Sequence, residues 1–140
     1  MTEAADCVFC KIIQGKIPSV KVVEDEQTLT FMDIQPASPG HTLVIPKAHA
    51  ANLMEIAEAD LLAVAKTVQR ISQAINAALK PDGIRIVQTN GAAAGQTVLH
   101  YHVHLIPMQE GQRIGTHGRA SAKPEELKAM AERIHSAIRI

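Results

Sequence analysis

His100-Tyr101-His102-Val103-His104-Leu105-Ile106 alternates histidine with apolar side chains. A period of two predicts a β-strand over residues 100–106. Successive strand side chains point to opposite faces, so the three imidazoles are expected on one face and Tyr101, Val103 and Leu105 on the other. The chain has two Phe, one Tyr and no Trp, so the core behind this strand is expected to be aliphatic.

Two non-functional explanations, a solvent-facing strand and a set of core residues, account for the three histidines less well than a functional site does. A solvent-facing strand needs only polar residues, and Thr, Lys or Glu would serve there equally well. A core set would require a hydrogen-bond partner for each buried imidazole N–H. We therefore interpret the histidine face as part of a functional cleft.

The sequence as a whole predicts one domain over residues 1–140, because no repeat or low-complexity tract divides it. The predicted core covers residues 7–107, and a glycine-rich loop with a C-terminal helix covers residues 108–140. Further strands are predicted at residues 20–24, 28–32, 42–45 and 84–88, and helices at residues 8–14, 59–79 and 124–138. Most connections are too short for crossover helices, which predicts an α+β fold: a mostly antiparallel five-stranded sheet with helices on one face.

Composition and charge exclude several function classes. The 140 residues carry 14 basic and 14 acidic side chains, so the formal net charge is zero. A neutral chain does not favour nucleic acid or an anionic membrane as a partner. No apolar run approaches the roughly 20 residues of a membrane span, and the polar N-terminus lacks the pattern of a signal peptide. We expect a cytoplasmic protein with reduced cysteines.

Cys7 and Cys10 form a Cys-x-x-Cys pair, and with His49 and the histidine strand they supply enough soft ligands for a tetrahedral zinc site. A thioredoxin-like redox pair would instead follow a strand and open a helix within a βαβ pattern, which is missing here. Inert packing of both thiols is the second alternative. A zinc-ribbon module is the third, but such modules are short and these residues span nearly the whole predicted core.

Residues 90–97, Asn-Gly-Ala-Ala-Ala-Gly-Gln-Thr, form a turn that leads into the histidine strand. Small residues let backbone N–H groups approach a phosphate, and Asn90, Gln96 and Thr97 can add side-chain hydrogen bonds. Taken alone, the segment is a flexible loop. It lacks the Gly-Lys-Ser/Thr of a P-loop.

Together these segments resemble the histidine triad (HIT) family, in its Hint-like and bacterial branch. The family signature is His-φ-His-φ-His-φ-φ, with φ apolar, and the resemblance covers about residues 7–107. It is carried by residues 7–13, 31–34, 39–49, 95–97 and 100–106. It implies a homodimer whose two sheets join edge to edge. It also implies hydrolysis or transfer at the α-phosphorus of purine nucleotides such as phosphoramidates, nucleotidyl-adenylates or dinucleoside polyphosphates.

The resemblance also implies roles for individual residues. His102 corresponds to the nucleophile, and the carbonyl of His100 would accept its Nδ1 proton. By the same resemblance, His104 would contact the phosphate, His41 would belong to the histidine network, and Thr97 would help to protonate the leaving group. The nucleotide-binding positions are those for the ribose hydroxyls, the base and the phosphate: Asp33, Met32, Ile34, Ile13, Asn90, Gly95, Gln96, Thr97, His102 and His104. The zinc-binding positions are Cys7, Cys10, His49 and His100.

Two features lie outside the resemblance. The C-terminal third departs from the Hint pattern, since it carries a basic glycine loop and a helix in place of a short tail with a Trp. His117 and His135 match no family position, and we predict a loop residue and a helix-surface residue. A non-catalytic nucleotide-binding or scaffold protein is the main alternative function, although such a protein would not need all three triad histidines.

Overall fold

The computed structural model describes residues 5–115, 118 and 120–139. The described elements agree closely with the predicted order. They are α1 (Val8–Ile13), β1 (Lys21–Glu24), β2 (Thr28–Met32), β3 (Thr42–Pro46), α2 (Glu58–Leu79), β4 (Gly83–Val87), a short 3-10 helix (Ala92–Ala94), β5 (Val103–Met108) and α3 (Pro124–Ser136).

The strands form a single five-stranded sheet in the order β1-β2-β3-β5-β4. Every neighbouring pair is antiparallel. The edges of the sheet are therefore β1 and β4, and β5 lies between β3 and β4. This arrangement confirms the predicted α+β fold with a mostly antiparallel sheet.

The two sheet faces carry different layers, as the alternation of strand side chains requires. On one face, α2 and α3 pack on Val44, Val103 and Leu105, and Ile71 and Ile75 of α2 are fully buried there. Burying an aliphatic side chain of this size contributes about 1.5–3 kcal/mol, so this layer supplies much of the stability. The long helices thus lie on one face, as expected.

The short helix α1 packs on the opposite face, so the prediction that the helices lie on one face is correct for α2 and α3 and wrong for α1. Its Phe9 and Ile12 join a second apolar cluster with Leu29, Phe31 and Leu43. These three strand residues alternate with neighbours that face α2, so both faces of β2 and β3 are covered and every residue of the two strands is buried. The histidine face of β5 is on this α1 side.

The predicted strand at residues 100–106 is displaced in the structure, where β5 begins at Val103 and continues to Met108. The reason is that the preceding main chain bonds outside the sheet. The Tyr101 N–H donates to the Ala50 carbonyl over 2.8 Å, and the His100 carbonyl receives the His102 side chain. Tyr101 nevertheless joins the α2-side core with Val103, so the predicted alternation of faces holds.

The loop from Asp33 to His41, which we call the 33–41 loop, connects β2 to β3. The Asp33 N–H donates to the His41 carbonyl over 3.1 Å, so the loop closes on itself. Gly40 has φ +94, and a Cβ there would lie 2.5 Å from Leu79 Cδ1. Only glycine meets both conditions without strain. The loop therefore has a defined shape at the edge of the histidine face.

The two histidines that match no family position were predicted to lie in a loop and on a helix surface. His135 lies on the exposed side of α3, as predicted, and its Nδ1 is 2.7 Å from the Val22 carbonyl oxygen. That contact ties α3 to the edge strand β1. His117 lies outside the described residues. Among the helices of the described residues, none is long and apolar enough to cross a membrane.

Candidate active site

A cavity of about 240 Å³ opens on the α1 side of the sheet. Six of the residues predicted for nucleotide binding or catalysis line it: Met32, Asp33, Ile34, Thr97, His102 and His104. The remaining lining is mostly apolar: Val8, Phe9, Ile12, Ile17, Pro18, Ser19, Phe31, Leu43 and Val98. A largely apolar cleft with a few convergent polar groups is the usual form of a small-molecule site.

One short hydrogen bond orients His102. Its Nδ1 lies 2.6 Å from the main-chain carbonyl oxygen of His100. A carbonyl can only accept, so Nδ1 carries the proton and the lone pair of the neutral ring is on Nε2. The Phe9 ring packs edge to face on this imidazole, with centroids 5.2 Å apart and an interplanar angle of 83°. The nucleophilic atom of the neutral ring is therefore Nε2.

A chain of hydrogen bonds also determines the tautomer of His104. The Ala37 N–H donates to His41 Nδ1 over 3.0 Å, so in the neutral His41 ring the proton is on Nε2. His41 Nε2 lies 2.9 Å from His104 Nδ1, which must then accept. The neutral His104 ring consequently carries its proton on Nε2. His104 thus offers an N–H donor, at Nε2, while His102 offers a lone pair at its own Nε2.

Asp33 lies just beyond the end of β2 and is buried. Its Oδ1 accepts the Gln35 N–H over 2.8 Å, and its Oδ2 is 3.5 Å from His41 Nε2. The carboxylate therefore has a defined orientation at the wall of the cavity. Two acceptor oxygens suit a vicinal diol, which has two O–H donors.

The glycine-rich turn brings only Thr97 to the cavity wall. The Gln96 side chain accepts the Gly91 N–H over 2.7 Å and donates to the Ala51 and Val98 carbonyls over 2.6 and 3.0 Å. Gln96 therefore braces the turn from inside. The Asn90 side chain accepts the Leu53 N–H over 2.8 Å and pairs with Gln88, and Gly95 ends the short 3-10 helix at φ +99.

Ile13 packs beside the cavity, in contact with the apolar cluster of α1, and is absent from the lining residues. Sequence reasoning also missed part of the apolar wall. Val8 and Ile12 are one helical turn apart on α1, and Ile17 and Pro18 follow it. The signal that could have found them is the three- and four-residue spacing of apolar side chains in α1. It was hard to read because the helix has only six residues.

Four potential metal ligands converge beside the triad: Cys7, Cys10, His49 and His100, whose ligand atoms all lie within 4.8 Å of one another. The His49 and His100 Nδ1 atoms are 3.3 Å apart, and Cys10 Sγ lies 3.4 and 3.6 Å from them. Ligands of a tetrahedral zinc ion are separated by about 3.3 Å for two nitrogens and about 3.6 Å for nitrogen and sulfur. The spacing fits one such ion.

The chemistry of His100 also fits a metal ligand. Its Nε2 lies 2.8 Å from the Pro46 carbonyl oxygen, so Nε2 holds the proton and Nδ1 directs its lone pair toward the cysteines. Burial lowers the pKa of His100 to about 4, so the ring is neutral near pH 7. Neutral imidazole is the form that binds a metal.

A second group of possible ligands, Asp33, His41 and His104, fits a hydrogen-bonded network better than a metal. The two histidine nitrogens are 2.9 Å apart. Nitrogen ligands around one zinc ion stay about 3.3 Å apart. The separation matches an N–H···N hydrogen bond, and the network has no need of a cation.

Comparison with known proteins identifies the family. The model of the HIT domain matches residues 14–111. The adenosine 5'-monophosphoramidase hnt1 of Schizosaccharomyces pombe is 40% identical over 136 residues, which cover 95% of this chain and 98% of that protein.

Solved structures agree with this match. A Hit-like protein involved in cell-cycle regulation from Bartonella henselae superposes with a TM-score of 0.92 at 40% identity, covering 99% of this chain and 100% of that one. A Zn-bound histidine triad family protein from Mycobacterium smegmatis superposes with a TM-score of 0.83 at 34% identity, covering 94% of this chain and 92% of that one. The chain therefore belongs to the histidine triad (HIT) family.

Proposed function

We propose that the protein hydrolyses purine nucleotides, or transfers their nucleotidyl group, at the α-phosphorus through a nucleotidyl intermediate on His102. The observation that carries this proposal is the 2.6 Å contact between His102 Nδ1 and the His100 carbonyl, because it leaves the ring lone pair on Nε2. Substrates of the phosphoramidate or dinucleoside polyphosphate type are the candidates. The similarity to an adenosine 5'-monophosphoramidase supports this class.

In the first step, Nε2 of His102 attacks the α-phosphorus and the bond from phosphorus to the leaving group breaks with its electron pair. The imidazole gains positive charge, and the Nδ1–H bond to the His100 carbonyl becomes charge-assisted and therefore stronger. His104 Nε2–H and the Thr97 hydroxyl can donate to the phosphate oxygens as negative charge accumulates there. Thr97 is also suited to protonate the leaving group.

In the second step, water attacks the same phosphorus and the P–N bond breaks. The electron pair returns to Nε2, the water loses a proton to solvent, and a nucleoside monophosphate is released. Covalent catalysis of this kind replaces one difficult displacement by two easier ones. Neutral imidazole is well suited to the first step because the ring nitrogen without a proton carries a lone pair that can attack phosphorus.

The order of strands suggests how the nucleotide lies in the cavity. His102 directly precedes β5, and His104 lies on it. Leu43 lies on β3, Phe31 lies on β2, and Pro18 precedes β1. The phosphate would sit at the histidines and the ribose at Asp33. The base would lie on the apolar wall formed by α1 and the residues before β1. Met32, Ile34 and Ile13 remain the predicted base contacts.

We further propose that Cys7, Cys10, His49 and His100 hold one structural zinc ion. Four protein ligands leave no open position for a catalytic water, so the ion would serve by joining α1 to the triad segment. Its effect on the reaction would be indirect, since His100 also supplies the carbonyl that orients His102. Thiolate ligands of this kind persist in a reducing compartment such as the cytoplasm.

The proposed assembly is a homodimer joined through β4. This strand is an edge of the sheet, and Ile86 on it is 48% exposed. An apolar, unpaired edge strand is an aggregation hazard unless another strand covers it. Pairing of two β4 strands would extend the sheet across both subunits and bury this edge.

A non-catalytic nucleotide-binding protein is the alternative function. It would keep the apolar wall and Asp33, yet it would have no use for a defined tautomer at His102.

Replacing His102 by Ala should lower hydrolysis of adenosine 5'-phosphoramidate or a diadenosine polyphosphate by at least about a thousandfold, because the nucleophile is lost. The measurement is AMP release by purified protein. His135→Ala, which removes a histidine of α3 outside the cavity, is the control and should retain nearly full activity. Equal rates for His102→Ala and the unmodified protein would exclude the covalent mechanism.

Purified protein should contain one zinc ion per chain, and removing the ion with a strong chelator should lower the melting temperature. Loss of a structural metal releases the N-terminal helix from the sheet and exposes two thiols. Cys10→Ser and His49→Ala should each reduce zinc content. A chain that is metal-free after purification in zinc-supplemented buffer, and unaffected by the chelator, would leave the cysteines as packing residues.

In solution the protein should have twice the 15.1 kDa mass of its chain, as measured by light scattering. Ile86→Glu should yield monomers, because it would place a charged side chain from each subunit in the apolar contact between the paired edges. Glu26→Lys, in the turn beside the opposite sheet edge, is the control. A monomeric unmodified protein, or an Ile86→Glu dimer, would argue against the β4 interface.

A further inference from the structure

The C-terminal third of the chain contacts the 33–41 loop directly. The Gly118 N–H donates to the Gln35 carbonyl over 2.8 Å, and the Ala122 N–H donates to the Ile34 carbonyl over 2.9 Å. We call Gly118 and Ala122 the strap residues. Both precede α3, so this contact connects the part of the chain that departs from the Hint pattern to the wall of the active-site cavity.

One peptide group links the strap to the Asp33 carboxylate. The carbonyl of Ile34 accepts from Ala122, and the N–H of the same peptide group, that of Gln35, donates to Asp33 Oδ1 over 2.8 Å. A peptide group is planar and rigid, so the orientation of its carbonyl determines the direction of its N–H. Ala122 therefore acts on the carboxylate through a single stiff unit, and Gly118 holds the peptide group that follows it.

The two halves of the 33–41 loop are anchored differently. In the second half, the Ser38 hydroxyl donates to the Pro107 carbonyl over 2.6 Å, which ties the loop to β5. In the first half, Ile34 is 61% exposed and its side chain gives little anchorage. The strap hydrogen bonds reach this first half.

Packing beneath the loop is incomplete. A cavity of about 260 Å³ lies between the loop and α3, lined on the loop side by residues 36–40. An incompletely filled space gives few dispersion contacts to hold a segment in place. Hydrogen bonds from the strap are then the main external constraint on the segment that follows Asp33.

We infer that the strap positions Asp33 to bind the ribose hydroxyls, so that the C-terminal region sets the preference for nucleotides with an intact ribose. This inference rests on the proposed function, in which Asp33 contacts the ribose. Gly118 and Ala122 are positioning residues. Ala122 acts through the Ile34–Gln35 peptide and Gly118 through the adjoining Gln35–Pro36 peptide, and neither residue lines the active-site cavity.

Gly118→Ala provides the test, because a Cβ at this position would overlap the Pro36 carbonyl oxygen and lie 2.8 Å from the carbonyl carbon. Gly115→Ala is the matched control, since a Cβ there meets nothing within 4 Å and the backbone is not left-handed. Ala122→Pro is a second variant that removes the donated N–H and, because the ring Cδ takes the place of the amide hydrogen, pushes the Ile34 carbonyl away from residue 122. Melting temperatures establish that each variant is folded.

The readout is KM and kcat for adenosine 5'-phosphoramidate and for its 2',3'-dideoxy analogue. Gly118→Ala and Ala122→Pro should raise KM for the ribose substrate by about tenfold, the scale of one weakened hydrogen bond to a charged group, with little change in kcat. KM for the dideoxy substrate should not change, because that substrate has no hydroxyls for Asp33 to bind. Gly115→Ala should match the unmodified protein with both substrates.

One further outcome would contradict the role of the strap, and another would contradict the proposed function. Equal effects on both substrates, or variants that behave like Gly115→Ala, would overturn the role of the strap while leaving the proposed hydrolysis intact. An unmodified protein that hydrolyses neither substrate would overturn the proposed function, and the strap would lose its role in substrate choice with it.

Discussion

The hydrogen bond between His102 Nδ1 and the His100 carbonyl is the constraint on which the rest of the site depends. His100 is also the residue whose Nδ1 lies 3.2 Å from Cys7 Sγ and whose Nε2 bonds to the end of β3. Its side chain is thus held by the proposed zinc site and by the sheet, and its main chain orients His102, the proposed nucleophile. A structural ion and a catalytic ring would meet at one residue.

In the proposed reaction, local groups must meet the charge of the substrate phosphate. The chain has no net charge, so no long-range field would draw in an anionic substrate. The donors the structure offers instead are an imidazole N–H of His104 and the hydroxyl of Thr97, both at the cavity wall. The hydrogen bonds from Ala37 to His41 and from His41 to His104 give the donor its tautomer before any substrate arrives. Such preorganised donors are a large contributor to catalysis because they need no reorganisation during the reaction.

Periodicity predicted the strands and the long helices well, because successive strand side chains point to opposite faces and the apolar side chains of α2 and α3 recur every three or four residues. It misplaced β5 by three residues at its start, because the groups that bond residues 100 to 102 are side-chain and loop partners that no local pattern reveals. The position of α1 opposite α2 and α3 was equally hidden, since a six-residue helix has too few turns to display a face. Family resemblance selected Asp33, which local sequence would have made a turn former. The hydrogen bond from Gln96 to Ala51, and the one from Ala122 to Ile34, needed the structure because they join segments far apart in the chain.

In the proposed reaction, a bond between Nε2 of His102 and phosphorus forms and then breaks. The stereochemical course at phosphorus reports on this bond, and it is measured with a substrate whose α-phosphorus is made chiral with sulfur and hydrolysed in oxygen-labelled water. Two in-line displacements each invert the phosphorus, so a covalent intermediate on His102 requires net retention of configuration. Net inversion would mean that water attacks the nucleotide directly, and it would exclude the covalent intermediate even if His102 proved essential for activity.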